Sequence, residues 1–261
     1  MSQSETAAAV TNPLYDELMF RPLYLEFYEG SSFGNYGYWE PQTSGPREAC
    51  RNLVQRLMDR MQHKTGRVLD VACGKGETTR CLLDYYPAQA ISAINISERQ
   101  LEVCRQNVPG ADFRCMDATA LEFADNTFDN IICVEAAFHF DTRRQFLTEA
   151  LRVLKPGGTL TMSDILMTRE AEKARLYHAE ANYLVDPTEY TEMLKSLGYR
   201  NIRIDDVTEQ CWRGFFRYLV KFLHERFLER KISVETLKTH LETNYRLVPD
   251  VEYYLLVSAE K

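Results

Sequence analysis

The sequence predicts an α/β fold: a doubly wound parallel sheet with helices on both faces and helical insertions over one edge. Three observations carry this expectation. Short apolar runs alternate with helical patterns from Arg67 to Ile165, the arrangement of parallel strands joined by crossover helices. The run Val68-Leu69-Asp70-Val71 leads through Ala72-Cys73-Gly74-Lys75-Gly76 into a helical segment, and its glycines permit a sharp turn that a ligand can approach closely. Phe128 to Val134 is largely apolar, as a strand covered on both faces should be.

The elements follow in order. Residues 1–11 read as a loose tail, and Pro13 to Glu29 as a helix with Leu14, Leu18, Leu23 and Phe27 at helical spacing. Aromatics crowd this stretch and the next, through Tyr15, Tyr24, Tyr28, Tyr36 and Trp39. They serve either as core packing or as a lid closing a pocket. Gly37 and Pro41 keep Asn35 to Glu40 out of a regular helix. Arg47 to Met61 is amphipathic. A strand at 67–71 precedes a helix from Thr78 to Tyr86, punctuated by Pro87. A strand at 90–96 precedes a helix at 98–107 with Ser97 as N-cap. Strands at 112–116 and 128–134 follow, then a helix at 143–154. Lys155-Pro156-Gly157-Gly158 is a turn into a strand at 159–165. Beyond it the rhythm changes: a charged helical stretch at 168–183, a helix at 187–197 closed by Gly198, a strand at 200–207, a long helical stretch at 212–247 and a last strand at 251–259.

Composition narrows the function. The 261 residues are 45% hydrophobic and 26% charged, an ordinary globular balance, and the net charge of −7 argues against a nucleic-acid backbone as main partner. Seven scattered cysteines form no C-x-x-C pair, which speaks against zinc or a redox motif and fits the reducing cytoplasm. Met1 to Val10 lacks the pattern of a signal peptide, and no apolar run reaches the roughly 18 residues of a membrane span. The glycine turn is not a P-loop, since no Gly-Lys-Ser/Thr ending places a lysine and hydroxyl. Nor is it a dinucleotide fingerprint, since the third glycine is missing.

The turn, Asp70 followed by Ala72-x-Gly74-x-Gly76, resembles the first motif of class I S-adenosylmethionine (SAM)-dependent methyltransferases, with Ala72 where many members have glycine. Other pieces follow in the family's order. Asn95-Ile96-Ser97-Glu98-Arg99-Gln100 is similar to the Asn-x-Ser-x-x-Gln form of sterol, tocopherol-type and polyketide-modifying enzymes. Asn95 departs from the acidic residue that usually holds the ribose hydroxyls. Met116-Asp117-Ala118, Leu154-Lys155-Pro156-Gly157-Gly158 and Tyr36-Gly37-Tyr38-Trp39 also resemble the small-molecule branch. The resemblance covers residues ~33–208 and implies a seven-stranded, mostly parallel, Rossmann-like sheet with its last strand antiparallel. It implies a cofactor site of Tyr36, Asp70, Ala72, Gly74, Gly76, Asn95, Ile96, Gln100, Asp117, Ala118 and Glu135. Several of these carry plainer alternatives: Asn95 and Asp117 as turn residues, Gln100 as a solvated helix position.

His139 follows the fourth strand, at the sheet edge where methyl transfer would occur. It is either a general base or a packing histidine. Histidines 63, 178, 224 and 240 lie in charged stretches and are expected to be solvated. Asp164 either reaches the pocket or closes a turn. Tyr24, Tyr28 and His139 are expected to touch the acceptor, and no metal cluster is expected. Residues 1–62 are expected to form a helical lid, and residues 63–261 the SAM-binding core with helical insertions at about 166–188 and 209–248. The expected activity is methylation of a small, largely apolar natural-product-like molecule at a hydroxyl oxygen. Carbon methylation, a non-catalytic SAM-binding module and a dehydrogenase are the rivals.

Overall fold

The computed structural model describes residues 7–175 and 180–261. Its centre is a seven-stranded sheet of β1 (Val68–Val71), β2 (Ile91–Asn95), β3 (Asp112–Cys115), β4 (Phe128–Val134), β5 (Leu154–Met167), β6 (Arg200–Asp206) and β7 (Val251–Glu260). The strand order is β3-β2-β1-β4-β5-β7-β6. β1 to β5 pair in parallel, and β7 runs antiparallel between β5 and β6. The order reverses between β1 and β4, which opens a crevice at their carboxyl ends, where doubly wound sheets bind ligands.

Strand alternation sorts the core into two layers. Val68 of β1, Ile132 of β4, and Tyr254 and Leu256 of β7 face one side; Leu69, Val71, Ile131, Cys133, Leu255 and Val257 face the other. α3 (Pro46–Met58) covers the first face with Leu53, Val54 and Leu57. α6 (Arg143–Val153) and α8 (Pro187–Leu197) cover the second with Phe146, Leu147, Tyr190 and Leu194. Each fully buried aliphatic side chain contributes ~1.5–3 kcal/mol relative to exposure. α4 (Glu77–Leu82) and α5 (Glu98–Asn107) complete the nucleotide-binding half. The Ser97 hydroxyl caps α5 by accepting from Gln100 N.

Outside the sheet the architecture differs from the sequence expectation in four places. Part of the expected tail is helical: α1 spans Ala7–Leu18, while residues 1–6 lie outside the described residues. The single helix expected at 13–29 is two, α1 and α2 (Pro22–Phe27), because Pro22 cannot continue the ladder and starts α2 at its first turn. The described residues of the charged stretch after β5 yield the short α7 (Arg169–Ala174) and a 3₁₀ turn at Glu180–Asn182, while residues 176–179 lie outside the described residues. The stretch 212–247 divides into α9 (Gly214–Leu228) and α10 (Val234–Leu247), with Ser233 capping the second. Cys115 is exposed, and the other six cysteines are buried and unbridged. No helix among the described residues is long and apolar enough to cross a membrane.

Candidate active site

The turn after β1 is held in left-handed backbone by three residues: Ala72 at φ 57°, Gly74 at φ 55° and Gly76 at φ 90°. Ala72 accepts this conformation at about 1 kcal/mol, which explains why glycine is the easier choice there. The two glycines have different reasons to lack a side chain. A Cβ on Gly74 would point into open space, with only the Met19 methyl at 3.9 Å. A Cβ on Gly76 would sit 3.2 Å from Cys104 Sγ and 3.3 Å from its Cα, so Gly76 lets α5 pack against the turn. Asp70 is buried beneath, where the Thr79 hydroxyl donates to its Oδ2 at 2.6 Å. Burial pushes its carboxyl up to about 7. Asp70 and Gly76 therefore shape the turn without lining the cavity above it.

Asn95, at the end of β2, is fully engaged. Its Nδ2 donates to Gly74 O at 3.1 Å and to Gln100 Oε1 at 3.0 Å, and its Oδ1 accepts from Ser97 N at 3.3 Å. Its amide ties the glycine turn to α5. Gln100 is buried rather than solvated. Asp117 is exposed on the cavity rim, where its Oδ1 accepts from the backbone and hydroxyl of Thr119 at 2.8 and 2.7 Å. It caps its turn with one oxygen and lines the cavity.

The end of β4 carries the densest polar cluster. Glu135 sits at φ 52°, a strained value for a residue with a side chain. Its carboxylate accepts from Tyr36 N at 2.8 and 3.0 Å and from the Tyr254 hydroxyl, and burial pushes the carboxyl up to about 8. His139 ends a short 3₁₀ turn (Ala137–His139). Arg175 Nη2 lies 2.8 Å from its Nδ1, and Tyr15 Oη lies 2.9 Å from its Nε2. A guanidinium can only donate, so Nδ1 must accept; in the neutral ring the proton is then on Nε2 and donates to Tyr15. Burial, Arg175 and Arg143 together push the imidazole down to about 3, and burial pushes the Tyr15 phenol up to about 12. In this arrangement His139 is a hydrogen-bond donor toward Tyr15 and not a free base.

Asp164 takes neither role expected of it. It forms a buried ion pair with Arg143, Nε to Oδ2 at 2.7 Å, and accepts from the Tyr190 hydroxyl at 2.9 Å. Arg143 N also donates to Asn182 Oδ1, and Asn182 Nδ2 donates to the carbonyls of Phe138 and Phe140. This network holds the turn that presents His139.

Above these groups lies a cavity of about 950 Å³. Ligand clefts run to roughly 300–1,000 Å³, so its size suits two small molecules side by side. Tyr36, Ala72, Gly74, Asn95, Ile96, Gln100, Asp117, Ala118 and Glu135 line it, as do Tyr24, Tyr28 and His139. Sequence reasoning missed the opposite wall: Phe215, Phe216, Leu219, Phe222 and Leu223 of α9, and His240, Thr243 and Asn244 of α10. The helical spacing of that α9 stripe was the available signal. Phe27 locks α2 to it, with ring centroids 5.3 Å from Phe215 and from Phe222. His63, His224 and His240 are exposed, His240 at the cavity mouth; His178 lies outside the described residues. Among the described residues no cluster of three or more His, Cys, Asp or Glu is placed to hold a metal.

The cavity fits a nucleoside-bearing cofactor: an open glycine cradle at Gly74, an amide pair at the end of β2, and a carboxylate at the end of β3. Comparison with known proteins agrees. The methyltransferase domain model matches residues 69–162. Methyltransferase GfsG of Streptomyces halstedii is 31% identical over 192 residues, 67% of this chain and 69% of the relative. The O-methyltransferase resE of Aspergillus sclerotiorum is 26% identical over 275 residues, 100% of both chains. The solved [4+2]-cyclase SpnF superposes with a TM-score of 0.74 at 23% identity, over 98% of this chain and 97% of that one. Geranyl diphosphate C-methyltransferase of Streptomyces coelicolor A3(2) superposes with a TM-score of 0.68 at 12% identity, over 100% and 99%. At these identities the two structures speak for the fold. The chain belongs to the class I SAM-dependent methyltransferases, in their small-molecule branch.

Proposed function

We propose that this enzyme methylates a hydroxyl oxygen of a small, largely apolar natural-product-like acceptor. The observation that carries the reading is the cavity itself: a chamber walled by aromatic and aliphatic side chains of α2 and α9, with Asn95, Asp117, Glu135 and His139 grouped after the ends of β2, β3 and β4. Relatives named as O-methyltransferases support the choice of oxygen.

SAM supplies an electrophilic methyl group, so the protein's work is positioning and exclusion of water. In this reading Gly74, Asn95, Gln100 and the Asp117–Ala118 pair hold the cofactor, and Glu135 with Tyr36 holds its amino-acid end. Asp70 and Gly76 support the turn from below. Residues 7–62 and 209–248 close over the cavity as a lid. Tyr24, Tyr28 and the α9 phenylalanines contact the acceptor. His139 takes the acceptor proton once Arg175 leaves Nδ1, because the ring proton can then reside there and bare Nε2.

The donor tautomer of His139 favours a second reading, methylation of an electron-rich carbon, in which no base is needed before the methyl arrives. Product analysis separates the two. With methyl-labelled SAM and a panel of phenolic, macrolide and prenyl acceptors, NMR should find the label on oxygen. Label on carbon would replace the first reading with the second.

A further inference from the structure

The N-terminal helix reaches farther than the acceptor chamber. Asp16, half-buried on α1, places its carboxylate over the carboxyl end of β2. Its Oδ1 accepts from the Ser97 hydroxyl at 2.7 Å and from Gln100 Nε2 at 2.7 Å. Its Oδ2 has no partner among the described residues. Two further contacts seat the same end of α1 on the nucleotide-binding half. Arg99 Nη1 donates to Asp16 O at 3.0 Å, and Lys75 Nζ, from within the glycine turn, donates to Met19 O at 3.0 Å.

In doubly wound nucleotide sites an acidic side chain after the second strand receives ribose hydroxyls. Here that position is Asn95, and its amide is committed to Gly74, Gln100 and Ser97. A vicinal diol offers two O–H donors, and an ionised carboxylate is the side chain that only accepts. Asp16 brings such a carboxylate to the two residues, Ser97 and Gln100, that flank the committed amide. We propose that Asp16 receives the ribose hydroxyls of SAM, so that the N-terminal helix is part of the cofactor site as well as of the lid. Tyr15, the preceding residue, meets His139. One turn of α1 therefore reaches Ser97 and Gln100 through Asp16 and the acceptor end of the cavity through Tyr15.

The test is calorimetric titration of wild type, Asp16→Asn and Asp16→Ala with S-adenosylhomocysteine (SAH) and with its 2′,3′-dideoxy analogue, thermal unfolding confirming that each variant is folded. Wild type should prefer SAH. Asp16→Ala should weaken SAH by roughly 10- to 100-fold, the range for a hydrogen bond to a charged group, with Asp16→Asn between the two, and should leave the dideoxy analogue unchanged. Equal weakening of both ligands would overturn the proposal and leave Asp16 a helix anchor. Unchanged SAH affinity, or tightening of both ligands, would overturn it as well.

Discussion

Arg175 Nη2 stands 2.8 Å from Nδ1 of His139, and this contact fixes which ring nitrogen carries the proton. It also places a fixed cation beside the imidazole, which burial and this charge push down to about 3. A histidine in this state is deprotonated throughout the working pH range. Its titration in the free enzyme therefore adds no rising limb to kcat/KM between pH 5 and 7. Arg175→Met removes the cation, raises the imidazole pKa and brings a rising limb toward that window. His139→Ala should lower kcat by ~10²–10⁴ if the base role holds, with SAH affinity unchanged. A wild-type kcat/KM that climbs through pH 6–7 with an ordinary histidine pKa of ~6.5 would mean that the contact is absent in the free enzyme.

Asp70 gives a stability signature of the opposite kind. Its carboxyl is pushed up to about 7 in the folded chain by burial, against ~3.9 when unfolded. Between these values the folded state holds a proton that the unfolded state has released, so stability falls as pH rises across the window. Asp70→Asn mimics the protonated form. In urea unfolding of the cofactor-free protein it should match wild type near pH 4 and exceed it by ~2–4 kcal/mol at pH 8. A difference that does not change with pH would refute this assignment.

The turn glycines should fail in different ways. Gly74→Ala places a side chain in left-handed backbone facing the cavity, so ~1 kcal/mol of stability is lost. Gly74→Val should abolish SAH binding in a folded protein. Gly76→Ala carries the same strain and also meets Cys104 at 3.2 Å, adding ~1–3 kcal/mol of overpacking. Normal SAH affinity in Gly74→Val would contradict the cradle.

Much of the sheet could be read from the sequence because its physics is local. β4, α5 and α8 have the expected bounds, and for the two helices Ser97 and Gly198 mark ends chemically. Asn95, Asp117 and His139 line the cavity because strand ends converge on one edge in this topology. What escaped depends on tertiary contact. Nothing in the spacing says that Tyr15 and Arg175 meet at His139, that Asp16 reaches Ser97 and Gln100 after β2, or that Asp164 pairs with Arg143. The Pro22 break in the first helix was visible and was passed over.

Arg143 and Asp164 are 3% and 0% exposed at the side chain, so neither tolerates loss of the other. Arg143→Met should cost ~3–5 kcal/mol by stranding a buried carboxylate. The same change removes the Arg143 Nη1 bond to the Asn182 backbone carbonyl and loosens the residue whose amide holds the carbonyls of Phe138 and Phe140. Activity should fall further than SAH affinity, which calorimetry and turnover measured together will show. A loss confined to SAH binding would contradict the link to the His139 turn.

The central claim is that one cavity holds cofactor and acceptor side by side at the carboxyl ends of β1, β2 and β4. A crystal structure with SAH bound tests it most directly. The account predicts the amino-acid portion at Gly74 and Glu135, the adenine at Asp117–Ala118, and an apolar space beside the sulfur bounded by Tyr15, His139 and Phe215. SAH bound elsewhere, or a sulfur sealed off from that space, would contradict it.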